Sequence, residues 1–434
     1  MASKKDKDKA KKKVARKAKK VVRSHPKQVF IALLVLVLIV AIVLGSIYLL
    51  DRDLFNKIFN IGQPTEDTVP DGGGSGNGGG TPPPSDITGD RLEVHFMDIG
   101  QGDSIFIRFP DGKTMMIDAG GAYDDKNHPS YNADLGGKKS VSAKITAYLD
   151  SFGVTSIDAF ILTHSDADHC DFMDDIIAKY DVKNIYVPAL TYNEVPKGAP
   201  VVPGNVGTRV FRDAMTAAYA ETYTDENGNI VNANVVQNVG DIINLSGTNY
   251  SVRSYCRDKA YYETVKYGDA KKLNAVSPVT VLEYGGRKVM FTGDGEGDGS
   301  KNDVEQWFMA KNIKIDIDVL KVGHHGSADS TSKEFLEYID PEYAVISCGT
   351  NNKHGHPRQE NLDRLTAYRD LVPDEDYNGI IRTFRTDKDG NVVLTIGANG
   401  AMTIVAQNDT ATVSISISIQ REYYTREERY EYVA

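Results

Sequence analysis

The apolar run at residues 157–162 leads directly into Thr163-His164-Ser165-Asp166-Ala167-Asp168-His169. Two imidazoles and two carboxylates thus crowd six residues at the mouth of a predicted buried strand. Carboxylates that close repel one another unless a cation lies between them. Neutral imidazole and carboxylate are the usual donors to zinc and manganese. The stretch therefore predicts a strand end that aims several ligands at one divalent metal, and it requires a sheet able to bring further donors to the same rim.

Two later stretches offer them. Val289-Met290-Phe291-Thr292-Gly293-Asp294-Gly295 reads as a strand running into a turn that exposes Asp294, and Val319-Leu320-Lys321-Val322-Gly323-His324-His325-Gly326-Ser327 repeats the arrangement with a histidine pair. Alone, Asp294 would pass for a turn former and the histidines for residues packed beneath a loop. Three such stretches, each at a predicted strand end, are harder to explain without a metal.

From residue 91 onward, short β-branched runs alternate with helical stretches, which predicts an α/β fold. Strands are expected at 92–97, 104–109, 114–118, 157–162, 249–255, 278–284, 288–291, 317–322, 343–347, 380–384 and 392–396, with helices at 140–152, 302–311, 332–339 and 359–368. A strict alternation of Val413, Ile415, Ile417 and Ile419 predicts a half-buried strand in a C-terminal extension, 398–434. Residues 190–240, rich in Gly, Pro, Asn and Tyr, carry no clear pattern.

The N-terminal part has a different character. Residues 1–27 hold thirteen Lys/Arg against Asp6 and Asp8, a net +11, so the remainder of this −10 chain sums to −21. An uncharged run of 22 residues follows at 29–50, long enough at ~1.5 Å per residue to span a hydrocarbon core of ~30 Å. It predicts one transmembrane helix, preferred over a cleaved signal peptide because no small-x-small site ends it. The basic arm 1–28 then stays cytoplasmic and the rest lies outside the cell membrane. Residues 71–85, nearly all Gly, Pro and Ser, mark 51–90 as a flexible tether to a domain at 91–397. Cys170, Cys256 and Cys348 are far apart and odd in number, with no disulfide framework or zinc-finger spacing.

The three metal-bearing stretches resemble the metallo-β-lactamase superfamily and, within it, the hydrolase domain of the ComEC competence proteins. Further motifs carry the likeness: residues 94–103 (Val-His-Phe-Met-Asp-Ile-Gly-Gln-Gly-Asp), 116–121 (Met-Ile-Asp-Ala-Gly-Gly), Asn274 with Ser277, His356-Pro357, and 385–390 (Arg-Thr-Asp-Lys-Asp-Gly). The resemblance covers about residues 91–397 and implies an αββα sandwich binding one or two ions of zinc or manganese. By position, His164 and Asp166 would hold a first metal and Asp168 and His169 a second, with Asp294 bridging. His324 is favoured over His325 to complete the second site. The histidine that the superfamily commonly supplies between these motifs is absent, since residues 170–323 contain none. That leaves Asp98, water or an empty first site as alternatives. Cys170-Asp171-Phe172 also replaces the glycine-containing stretch of the family.

The chemistry implied is hydrolysis by water activated on a divalent metal. Asp168 would orient that water, while Lys321, His325, Ser327 and His356 are candidates to contact the substrate or protonate its leaving oxygen, and Asn274 is a further substrate contact. By resemblance the reading is a phosphodiesterase or nuclease acting on DNA. The acidic balance runs against loose DNA binding through phosphates and keeps open a small phosphodiester, lactone or other ester as substrate. A non-catalytic surface module with a structural metal ranks lower, because structural zinc sites usually close with four protein donors. One membrane helix forms no channel, so any role in DNA uptake would need a separate membrane partner.

Overall fold

Strand Arg287–Phe291 sets out the logic of the layers. Val289 and Phe291 join one core with Leu92, Val94, Ile105 and Leu282, whereas Met290 between them packs with Phe308, Leu336 and Leu365. Successive side chains along a strand face opposite sides. A strand buried on both therefore needs a second sheet over one face and helices over the other.

In the computed structural model the described residues are 90–121, 138–193, 204–371, 382–408 and 413–415. All lie within one unit, Gly78–Ala434. The basic arm, the apolar run at 29–50 and the tether as far as residue 89 lie outside the described residues, as do Ile417 and Ile419.

One sheet has nine strands, in spatial order Asn234–Asn238, Asn184–Pro188, Ala159–Ile161, Thr114–Ala119, Ser104–Arg108, Arg91–Phe96, Val392–Gly397, Met402–Ala406 and Val413–Ile415. The other has seven: Asp241–Ser246, Tyr250–Tyr255, Val279–Tyr284, Arg287–Phe291, Val319–Lys321, Tyr343–Ile346 and Arg382–Arg385. Their facing sides share one core. Helices Lys138–Ser151, Met173–Ile177 and Arg209–Ala220 cover the outer face of the first sheet through Ile145, Leu149, Ile176, Phe211 and Met215. Helices Val304–Met309, Lys333–Ile339 and Gln359–Leu371 cover the second through Phe308, Phe335, Leu336 and Leu365. This is the αββα order. Truncating a side chain such as Phe291, 1% exposed between the sheets, would cost about 3–5 kcal/mol.

Differences from the sequence reading have local causes. The strand expected at 157–162 divides at Asp158, whose carboxylate accepts from the Thr114 N–H at 2.9 Å and from Lys183 at 2.7 Å. Ser156–Ile157 pairs with Asp181–Val182, while Ala159–Ile161 enters the main sheet. Within 190–240 lie a helix, Arg209–Ala220, a hairpin of Thr222–Thr224 with Ile230–Asn232, and an edge strand, Asn234–Asn238, parallel to Asn184–Pro188. Residues after 397 continue the first sheet, because Met402–Ala406 pairs with Val392–Gly397.

Candidate metal centre

Three strand ends meet at one rim. Ala159–Ile161 runs on to Thr163 and His164, Arg287–Phe291 to Asp294, and Val319–Lys321 to the two histidines. The first belongs to the nine-stranded sheet and the others to the seven-stranded one, so both sheets contribute donors.

Backbone contacts fix the segment that carries Asp168 and His169. The Asp103 N–H donates to the Asp168 carbonyl at 3.0 Å, and the Phe172 N–H donates to the Ala119 carbonyl at 2.8 Å. Gly120 must lack a side chain, because a Cβ there would lie 1.8 Å from the Asp168 oxygen. At the opposite stretch, His324 and His325 both adopt left-handed backbone, with φ of 43° and 51°. Such residues store about 1–3 kcal/mol of strain each and persist where their surroundings over-determine them.

That turn separates the two rings. His325 Nε2 lies 3.2 Å from His169 Nε2 and 3.5 Å from both Asp168 Oδ2 and Asp294 Oδ1. His324 Nε2 is 3.6 Å from Asp294 Oδ2, and its Nδ1 donates to Glu296 at 2.7 Å. Glu296 also accepts from Ser327 Oγ at 2.9 Å, and Asn274 Nδ2 sits 3.3 Å from His324 Nδ1. Ser327 and Asn274 therefore meet at the His324–Glu296 pair.

The donor set fits a divalent cation. His169 Nδ1 donates to Asp118 Oδ2 at 2.8 Å, and His325 Nδ1 donates to the Ser347 carbonyl at 2.9 Å. When neutral, both rings therefore turn an Nε2 lone pair toward the same point, in the orientation that an outer carboxylate or carbonyl imposes on metal-binding histidines. His164 Nε2 and Asp294 Oδ1 are buried atoms with no hydrogen-bond partner among the described residues. Donor atoms of His164, His169 and Asp294 lie within 4.8 Å of one another, as do those of Asp168, His169 and His325. These five side chains would hold the ion or ions; Asp166 and His324, expected among the ligands, fall in none of these groups and line the cleft beside them.

Titration reflects the same crowding. Against the penalty of burial, Asp294 and Asp118 hold His169 well above its ordinary value. Despite the cost of desolvation, Asp294 is held well below the usual carboxylate range by His169, His325 and His324, and Asp168 is lowered chiefly by the His325 ring 3.5 Å away. Burial and His169 push His164 well down, while burial with Asp168 and Asp294 raises Asp166 to about 7. Protons and a cation compete for this site, so binding of metal would release protons.

The donors open into a cleft of about 650 Å³, within the usual range for ligand sites. Asp166, Asp168, Asp294, His324, His325 and His356 all line it. His356 packs with its ring 5.0 Å from that of His324, and its Nδ1 is buried without a partner among the described residues. Lys321 sits behind the cleft, fully buried, with its ammonium paired to Asp103 and 3.4 Å from the Gly293 carbonyl. Asp98 lies apart from the cluster, 3.6 Å from Lys144. Cys170 is buried, and its thiol donates to the Ser165 carbonyl at 3.4 Å; burial and Asp166 push that thiol well up.

Sequence reasoning placed Asp103, Asp118 and Ser277 in motifs that carry the likeness but gave them no role in the site, and it did not name Glu296. Asp118 accepts from the Thr163 N–H and Oγ1 at 2.8 and 2.7 Å, and Ser277 Oγ accepts from the Asp294 N–H at 3.2 Å. Asp118 carried a further signal, as an acid embedded in the apolar strand Thr114–Ala119.

Residues 97–244 match the metallo-beta-lactamase superfamily. ComE operon protein 3 of Bacillus subtilis (strain 168) is 31% identical over 308 residues, covering 69% of this chain and 32% of that protein. Recombination protein 2 of Haemophilus influenzae is 26% identical over 290 residues, 67% of this chain and 28% of that protein. Competence protein ComA of Neisseria gonorrhoeae is 30% identical over 145 residues, 33% of this chain and 19% of that protein. The chain thus spans about a third or less of the length of these relatives. With the family's match, the four-layer fold and the His/Asp cluster together, the chain carries a metallo-β-lactamase superfamily domain and is similar to the ComEC competence proteins.

Proposed function

We propose that this chain is a metal-dependent phosphodiesterase that cleaves DNA, anchored in the cell membrane by residues 29–50 with the hydrolase domain outside. The observation that carries the reading is the convergence of Asp168, His169, Asp294 and His325, of which Asp168, Asp294 and His325 line an open cleft. A closed structural site would bury its donors away from any ligand, whereas Asp168 keeps part of its side chain, 29%, exposed. The names of the relatives, a competence protein and a recombination protein, agree with DNA as substrate. Zinc or manganese would supply Lewis acidity and a nucleophilic water at neutral pH.

The chain's own residues supply placement. Asp118 and Ser347 orient His169 and His325, and the Gly120 contact fixes the backbone of Asp168. His324, oriented by Glu296, and His356 face the cleft, where they can donate hydrogen bonds to the diester or its leaving oxygen. A small phosphodiester or other ester is the second reading, favoured by the net charge of −21 beyond residue 27. The test is hydrolysis of single-stranded DNA, duplex DNA and bis(p-nitrophenyl) phosphate by the metal-loaded full chain beside Asp168→Ala. Cleavage of the small diester without DNA would reject the nuclease reading. For topology, protease added to intact cells should remove the hydrolase domain, and protection would reject the outside placement.

A further inference from the structure

The cleft carries two groups that metal binding leaves unused. Gln101 is 94% buried by its 6% exposure, yet it lines the cleft. Its Oε1 accepts from the Gly349 N–H at 3.2 Å, which fixes the amide's orientation. Nε2 is then left without a partner among the described residues. A buried N–H donor with no acceptor is costly unless a ligand satisfies it. The position is rigid, because Gly349 packs so closely that a Cβ on it would lie 2.5 Å from the Gln101 nitrogen.

The second group enters from helix Arg209–Ala220. Thr208 and Arg209, at its start, line the same cleft. Thr208 caps this twelve-residue helix without a side-chain hydrogen bond to it, and its Oγ1 has no partner among the described residues. The first turn therefore keeps open N–H groups at the positive end of the helix dipole, which favours an anion. Arg209 adds a guanidinium held only loosely, 3.5 Å from Asp213 and 71% exposed.

Resting on the phosphodiesterase reading, the geometry points to a flanking-phosphate subsite: Arg209 and the open first turn of its helix hold a non-scissile phosphate of the substrate strand, while Gln101 Nε2 donates to a substrate oxygen in the same cleft. The site thereby selects a substrate with several linked phosphates over a lone diester. The two contacts differ in charge, so they separate experimentally. A cation that neutralises one phosphate of a single strand contributes about 0.7 to the slope of log K against log salt, whereas a neutral donor releases no counterion.

The experiment is fluorescence anisotropy of a labelled, hydrolysis-resistant phosphorothioate hexadeoxynucleotide with the manganese-loaded full chain over a range of salt. Arg209→Ala should weaken binding about tenfold and reduce the slope by about 0.7. Gln101→Leu should weaken it several-fold at unchanged slope. Arg253→Ala, at an exposed strand position outside the cleft lining, should alter neither. An unaltered slope in Arg209→Ala, undiminished affinity in Gln101→Leu, or no binding by the wild type would each overturn the subsite. Binding with these effects but without cleavage of the natural oligonucleotide would instead reject the hydrolase reading and leave the subsite standing.

Discussion

Replacing Gly120 by alanine tests whether backbone packing holds the metal donors in place. The new Cβ would lie 1.8 Å from the Asp168 oxygen, 1.9 Å from its carbonyl carbon and 2.2 Å from the His169 nitrogen. Ordinary carbon contacts begin near ~3.5 Å, so the 168–169 backbone would have to retreat by roughly 1.5 Å. No flexible side chain is available to give way instead. Overpacking on this scale costs about 1–3 kcal/mol of stability, and a displacement of ~1 Å at a reacting centre can cost about 10²-fold in rate. Gly120→Ala should therefore fold with a modestly lowered Tm, bind zinc about tenfold more weakly or worse, and lose about 10²-fold in diester hydrolysis. Zinc competition against a chromophoric chelator reads the affinity. Gly112→Ala is the control: its φ of +83° carries a left-handed penalty of about 1–2 kcal/mol, but nothing lies within 4 Å. Wild-type metal affinity and activity in Gly120→Ala would refute the reasoning.

Asp118→Asn should weaken metal binding by about 10–100-fold without unfolding the chain, because the carboxylate that orients His169 becomes an amide; unchanged affinity in the same competition assay would exclude this positioning role. Glu305, buried beneath the Thr331 and Ser332 N–H groups, has its carboxyl raised by burial from 4.5 to about 7. A raised folded-state value contributes stability below pH ~4.5 that is lost as pH rises through ~7, up to about 3 kcal/mol. Denaturant midpoints should therefore fall less between pH 5 and 8 in Glu305→Gln than in the wild type, and equal falls would contradict the assignment.

The candidate donors could be proposed from the sequence because each stands beyond an apolar strand, where periodicity and residue type read together. Asp168, His169 and Asp294 needed only local pattern. The sequence reading favoured His324 over His325, whereas the left-handed turn, which composition does not encode, sends the two side chains in different directions and sets His325 beside Asp168 and His169. The pairs Asp118–His169 and Lys321–Asp103 join residues 51 and 218 positions apart in the chain, so no window of sequence reveals them. Helix Arg209–Ala220 was more accessible than its glycine- and proline-rich surroundings suggested. Phe211, Ala214, Met215 and Ala218 follow the spacing of one buried helical face, but the neighbouring turn residues masked it.

Metal stoichiometry measures the central claim most directly. Equilibrium dialysis of the purified full chain against zinc or manganese, followed by elemental analysis, should give at least one bound ion per chain. Binding should fall steeply in Asp294→Ala and in His169→Ala while each variant keeps its far-UV spectrum. A folded wild-type chain that retains no ion at saturating metal, or equal retention in both variants, would contradict a cation held between the two sheet edges.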